Sequence, residues 1–238
     1  MSVRANINPL SWDSEFFSFP IAKLTEINGP GTPSLMSDDF NDYQLVQAKI
    51  PASDYFVLSG LQALGFQLVD GEIDLEIAVP LKNIEQHSRL EVATKKDIPY
   101  LKNLAGHAFE LSRFRAPWFN TSDNGRFYGE WAEKAVLGTF DDCCLIIKDS
   151  MQVIKGFVTL KQSGDGSFRV GLLAVSPDYR KQGVGDALVN GALAYCRNQD
   201  AGSLHIATQT GNIAALRLYI KYGATIASSS YWLYRSTK

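Results

Sequence analysis

The stretch Arg180-Lys181-Gln182-Gly183-Val184-Gly185 decides the fold of this chain. It follows an apolar run, Val170–Val175, that is typical of a buried strand, and it precedes a helix-like segment, Asp186–Cys196. Glycines let the backbone approach a ligand closely, and the first amide groups of a helix carry partial positive charge. The sequence therefore predicts a strand, a basic turn and a helix start that bind a phosphate group.

Composition limits what else the chain can be. Its 238 residues, 45% of them hydrophobic, suffice for one large domain or two small ones. A net charge of −2 disfavours binding to nucleic acid through a broad basic surface. We find no apolar run of about 18 residues and no secretory signal, so we expect a cytoplasmic protein without a membrane span. The three cysteines and three histidines lack ligand spacing, so we expect no metal site.

Residues 1–88 and 89–238 differ in composition and in their pattern of predicted elements, and we predict two domains. The first begins with aromatic side chains and a glycine-proline loop. It then predicts a strand at 45–50, a helix at 53–64 and a strand at 67–79. The last of these alternates strictly, with Ile73, Leu75, Ile77 and Val79 on one face and Asp70, Glu72, Asp74 and Glu76 on the other. The polar stretch 80–88 is the predicted linker.

The second region predicts a regular order of elements. Strands are expected at 90–93, 143–148, 153–161, 168–175, 204–208 and 224–234, and helices at 97–110, 125–137, 186–197 and 212–222. This order is typical of the α/β (α+β) class, with an antiparallel front half and crossover units at the back.

Three of these elements together resemble the GNAT acetyltransferases. Members of that family carry Arg/Gln-x-x-Gly-x-Gly/Ala after the fourth strand, an Asn after the fifth, and a Tyr on the next helix followed by Gly. The matches here are Arg180–Gly185, Asn212, Tyr219 and Gly223. The glycine turn alone is a weak signal, but three elements in order are specific. The resemblance implies a GNAT fold, in which a central mixed, twisted sheet is flanked by helices, with 1–88 as a smaller N-terminal α/β domain.

The resemblance implies acetyl-CoA as co-substrate. The backbone of the fourth strand would pair with the pantetheine arm, and the turn would hold the pyrophosphate. The residues concerned are Leu173, Ala174, Val175, Arg180, Lys181, Gln182, Gly183, Val184, Gly185 and Asn212. A dinucleotide-binding motif is excluded because Leu188 stands where its third glycine belongs, and a P-loop because Gly-Lys-Ser/Thr is missing.

Tyr219 is the predicted catalytic residue, again by resemblance. When an amine attacks acetyl-CoA the departing group is a thiolate, and a nearby phenol can donate a proton to it. Packing in the core is the alternative for Tyr219, and Tyr222 is a rival for the same role. Asn212 would cap the last helix whether or not it contacts coenzyme A.

A wider resemblance covers nearly the whole chain. Its matching pieces are Val3-Arg4-Ala5, Pro9-Leu10, Val46–Lys49, Leu64-Gly65-Phe66, Ser112–Trp118, Gly125–Tyr128 and Tyr231–Arg235. They resemble GNAT enzymes that N-acetylate dTDP-linked amino sugars. This resemblance implies dTDP-4-amino-4,6-dideoxy-D-galactose as acceptor, a role in making enterobacterial common antigen, and a homodimer. The aromatic last strand is a candidate for pairing across the dimer axis.

Arg113, Arg115 and Trp118 are candidate acceptor-binding residues. Cations and an aromatic surface suit a diphosphate and a thymine ring, whereas a surface loop with a buried Trp is the alternative. The acidic face of strand 67–79 either is solvated or lines the cleft, and no general base is assigned. Because no cysteine lies near the turn in sequence, we expect direct attack in a ternary complex. The competing functions are acetylation of another nucleotide amino sugar or a protein amine, and coenzyme A binding without turnover.

Overall fold

A computed structural model describes residues 2–80 and 90–237, which form one mixed sheet of ten strands flanked by helices. The strands are β1 (Asn6–Pro9), β2 (Ile21–Thr25), β3 (Leu45–Pro51), β4 (Gln67–Ala78), β5 (Leu90–Val92), β6 (Cys143–Lys148), β7 (Ile154–Gln162), β8 (Phe168–Val175), β9 (Ser203–Gln209) and β10 (Thr225–Ser236). The α-helices are α1 (Ser11–Phe17), α2 (Tyr55–Ala63), α3 (Ile98–Ala108), α4 (Asp123–Val136), α5 (Val184–Asn198) and α6 (Ile213–Lys221). The predicted mixed sheet is confirmed.

The elements that sequence patterns missed lie at the start of the chain. β1, α1 and β2 are short, and α1 begins after Leu10, whose side chain makes no capping hydrogen bond. Neither length nor a capping residue therefore gives a local signal. α1 is stabilised by tertiary packing instead: Phe17 stacks on Phe127 at 5.9 Å between ring centroids and contacts Phe119 at 4.5 Å.

The strand order interlocks the two sequence regions. It runs β1-β2-β3-β10-β4-β9-β8-β7-β6-β5, so β10 lies between β3 and β4, and β4 lies between β10 and β9. Each of the units β3-α2-β4 and β9-α6-β10 thus has its two strands separated by the last strand of the other. From Ser230 to Tyr234, β10 is hydrogen-bonded on both sides, so its aromatic residues have no free edge with which to pair with a second copy. The predicted linker lies, apart from Pro80, outside the described residues, and the division at 88/89 stays a prediction.

The alternation predicted for β4 is confirmed between Ile73 and Ile77. Leu75 and Ile77 are buried beneath α5 and α6, and Ile73 packs against the same cluster. A register shift against β10 places a bulge near Val69, which joins the aromatic cluster on the opposite face. The sequence pattern does not predict this bulge, because Val69 is an apolar residue that would be buried on either face of the sheet.

Residues 2–80 and 90–237 contain neither a helix suited to crossing a membrane nor a cluster of metal-binding side chains. No helix there has the length and apolarity needed to cross a membrane. No group of three or more His, Cys, Asp or Glu side chains there is placed to hold a metal ion.

Candidate active site

β8 and β9 lie side by side but pair over only two residues. They are parallel, with Phe168 opposite Leu204 and Arg169 opposite His205, and no further pairs follow. Beyond this point residues 173–175 pair with β7 alone, and residues 206–209 pair with β4 alone. Backbone groups at the carboxyl end of β8 therefore face a gap, and an extended ligand can bind them as an added strand would.

A bulge in β8 begins this divergence, and buried polar groups hold it. Thr159 Oγ1 accepts a hydrogen bond from the Leu172 amide at 2.8 Å and donates to Asp141 Oδ2 at 2.6 Å. Trp131 Nε1 donates to the same carboxylate oxygen at 2.8 Å. A Cβ at Gly171 would lie 2.0 Å from Asp141 Oδ2, so only glycine allows this approach. Sequence patterns do not identify Asp141 and Thr159, because Asp141 lies in the loop before β6 and Thr159 on β7, and neither element borders the gap.

The basic turn leads into α5 with an open helix N-terminus. Lys181 and Gly183 have left-handed backbone conformations, with φ of 59° and 75°, and α5 begins at Val184 without a side-chain cap. Arg180 and Lys181 are exposed, and neither forms an ion pair within the described part of the chain. Gly185 packs closely on α6, where an added Cβ would lie 3.2 Å from a Leu218 methyl carbon. Free amides, two unpaired cations and the helix dipole favour an anion here.

Tyr219 and Tyr222 lie in very different surroundings. Tyr219 is 5% exposed and packs with the apolar side chains beneath α5, and its hydroxyl has no hydrogen-bond partner among the described residues. Burial raises the pKa of Tyr219 to about 12, so the phenol keeps its proton at neutral pH. The Tyr222 hydroxyl instead donates to the Asp186 carbonyl oxygen at 3.0 Å. Of the two, Tyr219 has the free hydroxyl that a proton donor needs.

Asn212 is the N-cap of α6. Its Oδ1 accepts a hydrogen bond from the Ala215 amide at 3.3 Å, and its Nδ2 donates to Thr208 Oγ1 at 3.2 Å. The cap fixes the start of α6 at the end of β9, and so sets the position of Tyr219 two turns further along the helix.

The three candidate acceptor residues have separate environments. Arg113 lies on the sheet, with its guanidinium carbon 3.9 Å from the ring centroid of Trp232. Arg115 is held by backbone, since it donates to the Val69 carbonyl oxygen at 2.8 Å and to that of Ser112 at 3.0 Å. Trp118 packs edge-on against Tyr234. Only Arg113 therefore joins the polar face of the central strands.

Two of the four acidic side chains of β4, Glu72 and Asp74, are paired rather than solvated. Glu72 accepts hydrogen bonds from Lys49 Nζ at 2.5 Å and from Trp232 Nε1 at 3.0 Å. Asp74 is 3.4 Å from the same Lys49 Nζ. The pKa of Asp70 is raised, chiefly by burial. Sequence patterns do not identify Lys49 as a partner of these carboxylates, because the paired residues come from different strands. Its spacing of two from Gln47 shows only that Lys49 and Gln47 lie on the same face of β3.

The gap and this polar face meet in the middle of the sheet. Tyr219 packs on the side of α5 and α6, whereas Trp232 and Arg113 lie on the opposite side. From β9 across β4 and β10 to β3 is three strand spacings, about 14 Å. An elongated substrate bound on the polar face can thus reach the gap from the side opposite Tyr219.

Comparison with known proteins agrees with this architecture. Residues 107–224 match the model of the acetyltransferase (GNAT) family. Over 237 residues the chain is 43% identical to a dTDP-fucosamine acetyltransferase of Escherichia coli, covering 99% of this chain and 100% of that protein. It is 26% identical over 126 residues to streptothricin acetyltransferase A of Bacillus subtilis, covering 51% of this chain and 67% of the relative.

A solved structure shows the same fold. The GCN5-related N-acetyltransferase of Sphaerobacter thermophilus superposes with a TM-score of 0.59 at 16% identity, over 81% of this chain and 59% of that one. The predicted fold and enzyme class are confirmed by these matches together. By its full-length curated relative and its family match, this chain belongs to the GNAT family of acetyltransferases.

Proposed function

We propose that the enzyme transfers an acetyl group from acetyl-CoA to the 4-amine of dTDP-4-amino-4,6-dideoxy-D-galactose, for enterobacterial common antigen. One observation carries the proposal: the match to the Escherichia coli dTDP-fucosamine acetyltransferase spans both chains almost completely. It thus includes residues 1–88, which lie outside the GNAT family match. Those residues supply β3 and β4 of the polar face.

Acetyl-CoA binding is assigned to the gap and the turn. Residues 173–175 would pair through their backbone with the pantetheine arm, because their free groups face the gap between β8 and β9. The amides of residues 182–185 would hold the pyrophosphate, with Arg180 and Lys181 adding charge. Asn212 would contact coenzyme A while it caps α6.

Acetyl transfer is proposed to be direct. The neutral amine attacks the thioester carbonyl carbon, a C–N bond forms, and the tetrahedral intermediate collapses with loss of the C–S bond. Tyr219 donates its proton to the departing thiolate sulfur, and the nitrogen loses its extra proton to solvent. The unengaged Tyr219 hydroxyl favours this role over Tyr222, whose hydroxyl is already bonded.

A cysteine nucleophile is disfavoured. Burial raises the pKa of Cys143 to about 11 and that of Cys196 to about 12, and it raises the pKa of Cys144 as well. Thiols with such pKa values are protonated at neutral pH, and a thiol is a poor nucleophile. The homodimer and the cytoplasmic location stay predictions.

The test is a thiol-release assay with acetyl-CoA and a panel of amine acceptors. We expect release with dTDP-4-amino-4,6-dideoxy-D-galactose and much less with its UDP analogue or with peptides bearing a free amine. Release with another amine alone would replace the proposed acceptor. Binding of acetyl-CoA without turnover on any amine would indicate a non-catalytic module.

A further inference from the structure

The polar face contains a buried amide that lacks a hydrogen-bond acceptor. Gln47 is 1% exposed, and its Nε2 has no hydrogen-bond partner among the described residues. Its Oε1 accepts a hydrogen bond from Arg113 Nη1 at 2.9 Å. Lys23 on β2 lies directly opposite Gln47 in the parallel register, so the two side chains share a face. A buried N–H without an acceptor is costly, and such groups are rare away from ligand sites.

Two cations beside this amide lack a carboxylate partner among the described residues. Lys23 and Arg113 are half-buried, and neither has a carboxylate oxygen within 4.0 Å in the described part of the chain. Lys49, by contrast, is neutralised by Glu72 and Asp74. The pKa of Lys23 is lowered, first by burial and then by the positive charges of Arg113 and Lys49.

The carboxyl groups that face these cations lie further away. Asp13 of α1 and Asp70 of β4 both have raised pKa values, chiefly because they are buried, and the field of Arg113 opposes the rise in each. Neither forms an ion pair with Lys23 or Arg113 among the described residues. The positive charge at this point is therefore only partly compensated by the protein.

Space for a ligand adjoins the cluster. β2 and β3 pair from Ile21 to Lys23 and then separate. A cavity of about 420 Å³ opens where they diverge, and its charged lining residues are Lys23, Lys49, Glu26 and Asp54. Of these, Lys23 belongs to the cluster, so the cavity adjoins the cluster at this residue. The indole ring of Trp232, under Arg113 at 3.9 Å, adds a flat apolar surface.

We infer that Lys23, Arg113 and the Nε2 amide of Gln47 form a subsite for the diphosphate of a nucleotide-linked acceptor. This inference rests on the proposed function and specifies where the acceptor is held. An anionic oxygen supplies the acceptor that Gln47 lacks and the counter-charge that both cations lack. Arg113 stacks over Trp232 of β10, and Gln47 lies on the next strand, β3, so the subsite is two to three strand spacings from β9, about 10–14 Å. The diphosphate and the sugar together bridge this distance, with the sugar crossing β10 and β4 towards the thioester.

Calorimetric titration of the full chain with dTDP tests the subsite. The titration is done with saturating coenzyme A, which fills the other anion site. Lys23→Gln removes one cation, and Gln47→Glu keeps the shape and the bond to Arg113 but puts a negative charge where the diphosphate binds. We expect each to raise the Kd for dTDP about tenfold or more, the loss of one charge-assisted hydrogen bond. Lys96→Gln, which removes an exposed charge elsewhere, is the control and leaves the Kd unchanged.

The outcomes separate the subsite from the proposed function. Unchanged dTDP affinity in folded Lys23→Gln and Gln47→Glu, with wild-type turnover of the dTDP-sugar intact, overturns the subsite and leaves the function standing. Weaker binding of dTDP and of inorganic pyrophosphate by the variants, in an enzyme that does not acetylate the dTDP-sugar, supports the subsite and overturns the acceptor. If the wild-type chain binds neither dTDP nor pyrophosphate, the subsite is wrong whatever the turnover. Circular dichroism melting of each variant confirms that it is folded.

Discussion

Thr159→Val probes the buried pair that shapes the gap between β8 and β9. The substitution keeps the side-chain shape but removes Oγ1, which accepts from the Leu172 amide at 2.8 Å and donates to Asp141 Oδ2 at 2.6 Å. The amide of Leu172 then stays buried without an acceptor, which costs about 1–3 kcal/mol, and Asp141 loses a donor worth about as much. We expect the free energy of unfolding to fall by about 2–6 kcal/mol.

Thr159→Val should also weaken the interaction with acetyl-CoA without affecting the acceptor. If the bulge sets the backbone groups that pair with the pantetheine arm, the KM for acetyl-CoA rises while the KM for the acceptor stays near its wild-type value. Urea denaturation measures the stability, and initial rates measure both KM values. Thr139→Val is the control, because its exposed hydroxyl bonds only the Lys134 carbonyl oxygen at 3.3 Å. A stability loss below about 0.5 kcal/mol, as at an ordinary surface position, refutes the reasoning.

Three further predictions concern the turn and the phenol of Tyr219, the proposed proton donor. Tyr219→Phe should lower kcat about 100-fold or more while calorimetry finds coenzyme A affinity unchanged; Tyr222→Phe is its control, and an equal loss of kcat there would remove the distinction. Gly183→Ala should cost about 1–2 kcal/mol because φ is 75°, and should also weaken acetyl-CoA binding, whereas Gly166→Ala at φ 84° should cost the same stability without affecting binding. The pKa of Tyr219, about 12 when folded against 10.0 as a model value, means that its contribution to stability is constant below pH 10 and is lost as the pH rises towards 12. Urea denaturation at pH 8, 10 and 11 measures the free energy of unfolding of Tyr219→Phe and of the wild type. The difference between them should be the same at pH 8 and near pH 10 and should shift in favour of Tyr219→Phe at pH 11. A difference that is independent of pH would contradict the burial of the phenol.

The residues proposed to bind the donor could be identified from the sequence because each of their motifs is local. The turn at 180–185 is one continuous segment, and Asn212 and Tyr219 lie on either side of a single helix start. Strand, cap and helix patterns fix the relative positions of such residues without tertiary information. The same patterns located all the described strands and helices after residue 90.

The acceptor half was only partly predictable because its residues are far apart in sequence. Arg113 was identified as a candidate, but its partners Gln47 and Tyr234 are 66 and 121 residues away. Nothing within the segment 112–118 tells which arginine reaches the sheet and which is held by backbone carbonyl groups. The paired state of Glu72 likewise depends on Lys49 and Trp232, which come from two other strands.

The sequence by itself determined the type and order of most elements, the basic turn before α5, the cap of the last helix and, through their combination, the acetyltransferase family. Hydrophobic periodicity and turn-forming residues act over a few neighbouring positions, so they can be recognised in the sequence alone. Only the tertiary structure decided that β10 enters between β3 and β4, that Tyr219 rather than Tyr222 has the free hydroxyl, and that Lys23, Gln47 and Arg113 meet. Strand pairing and hydrogen-bond partners are settled by which distant groups are buried together. The basic turn at 180–185 therefore indicates the proposed donor from local sequence. The proposed acceptor site forms only when residues from both halves of the chain come together in one sheet.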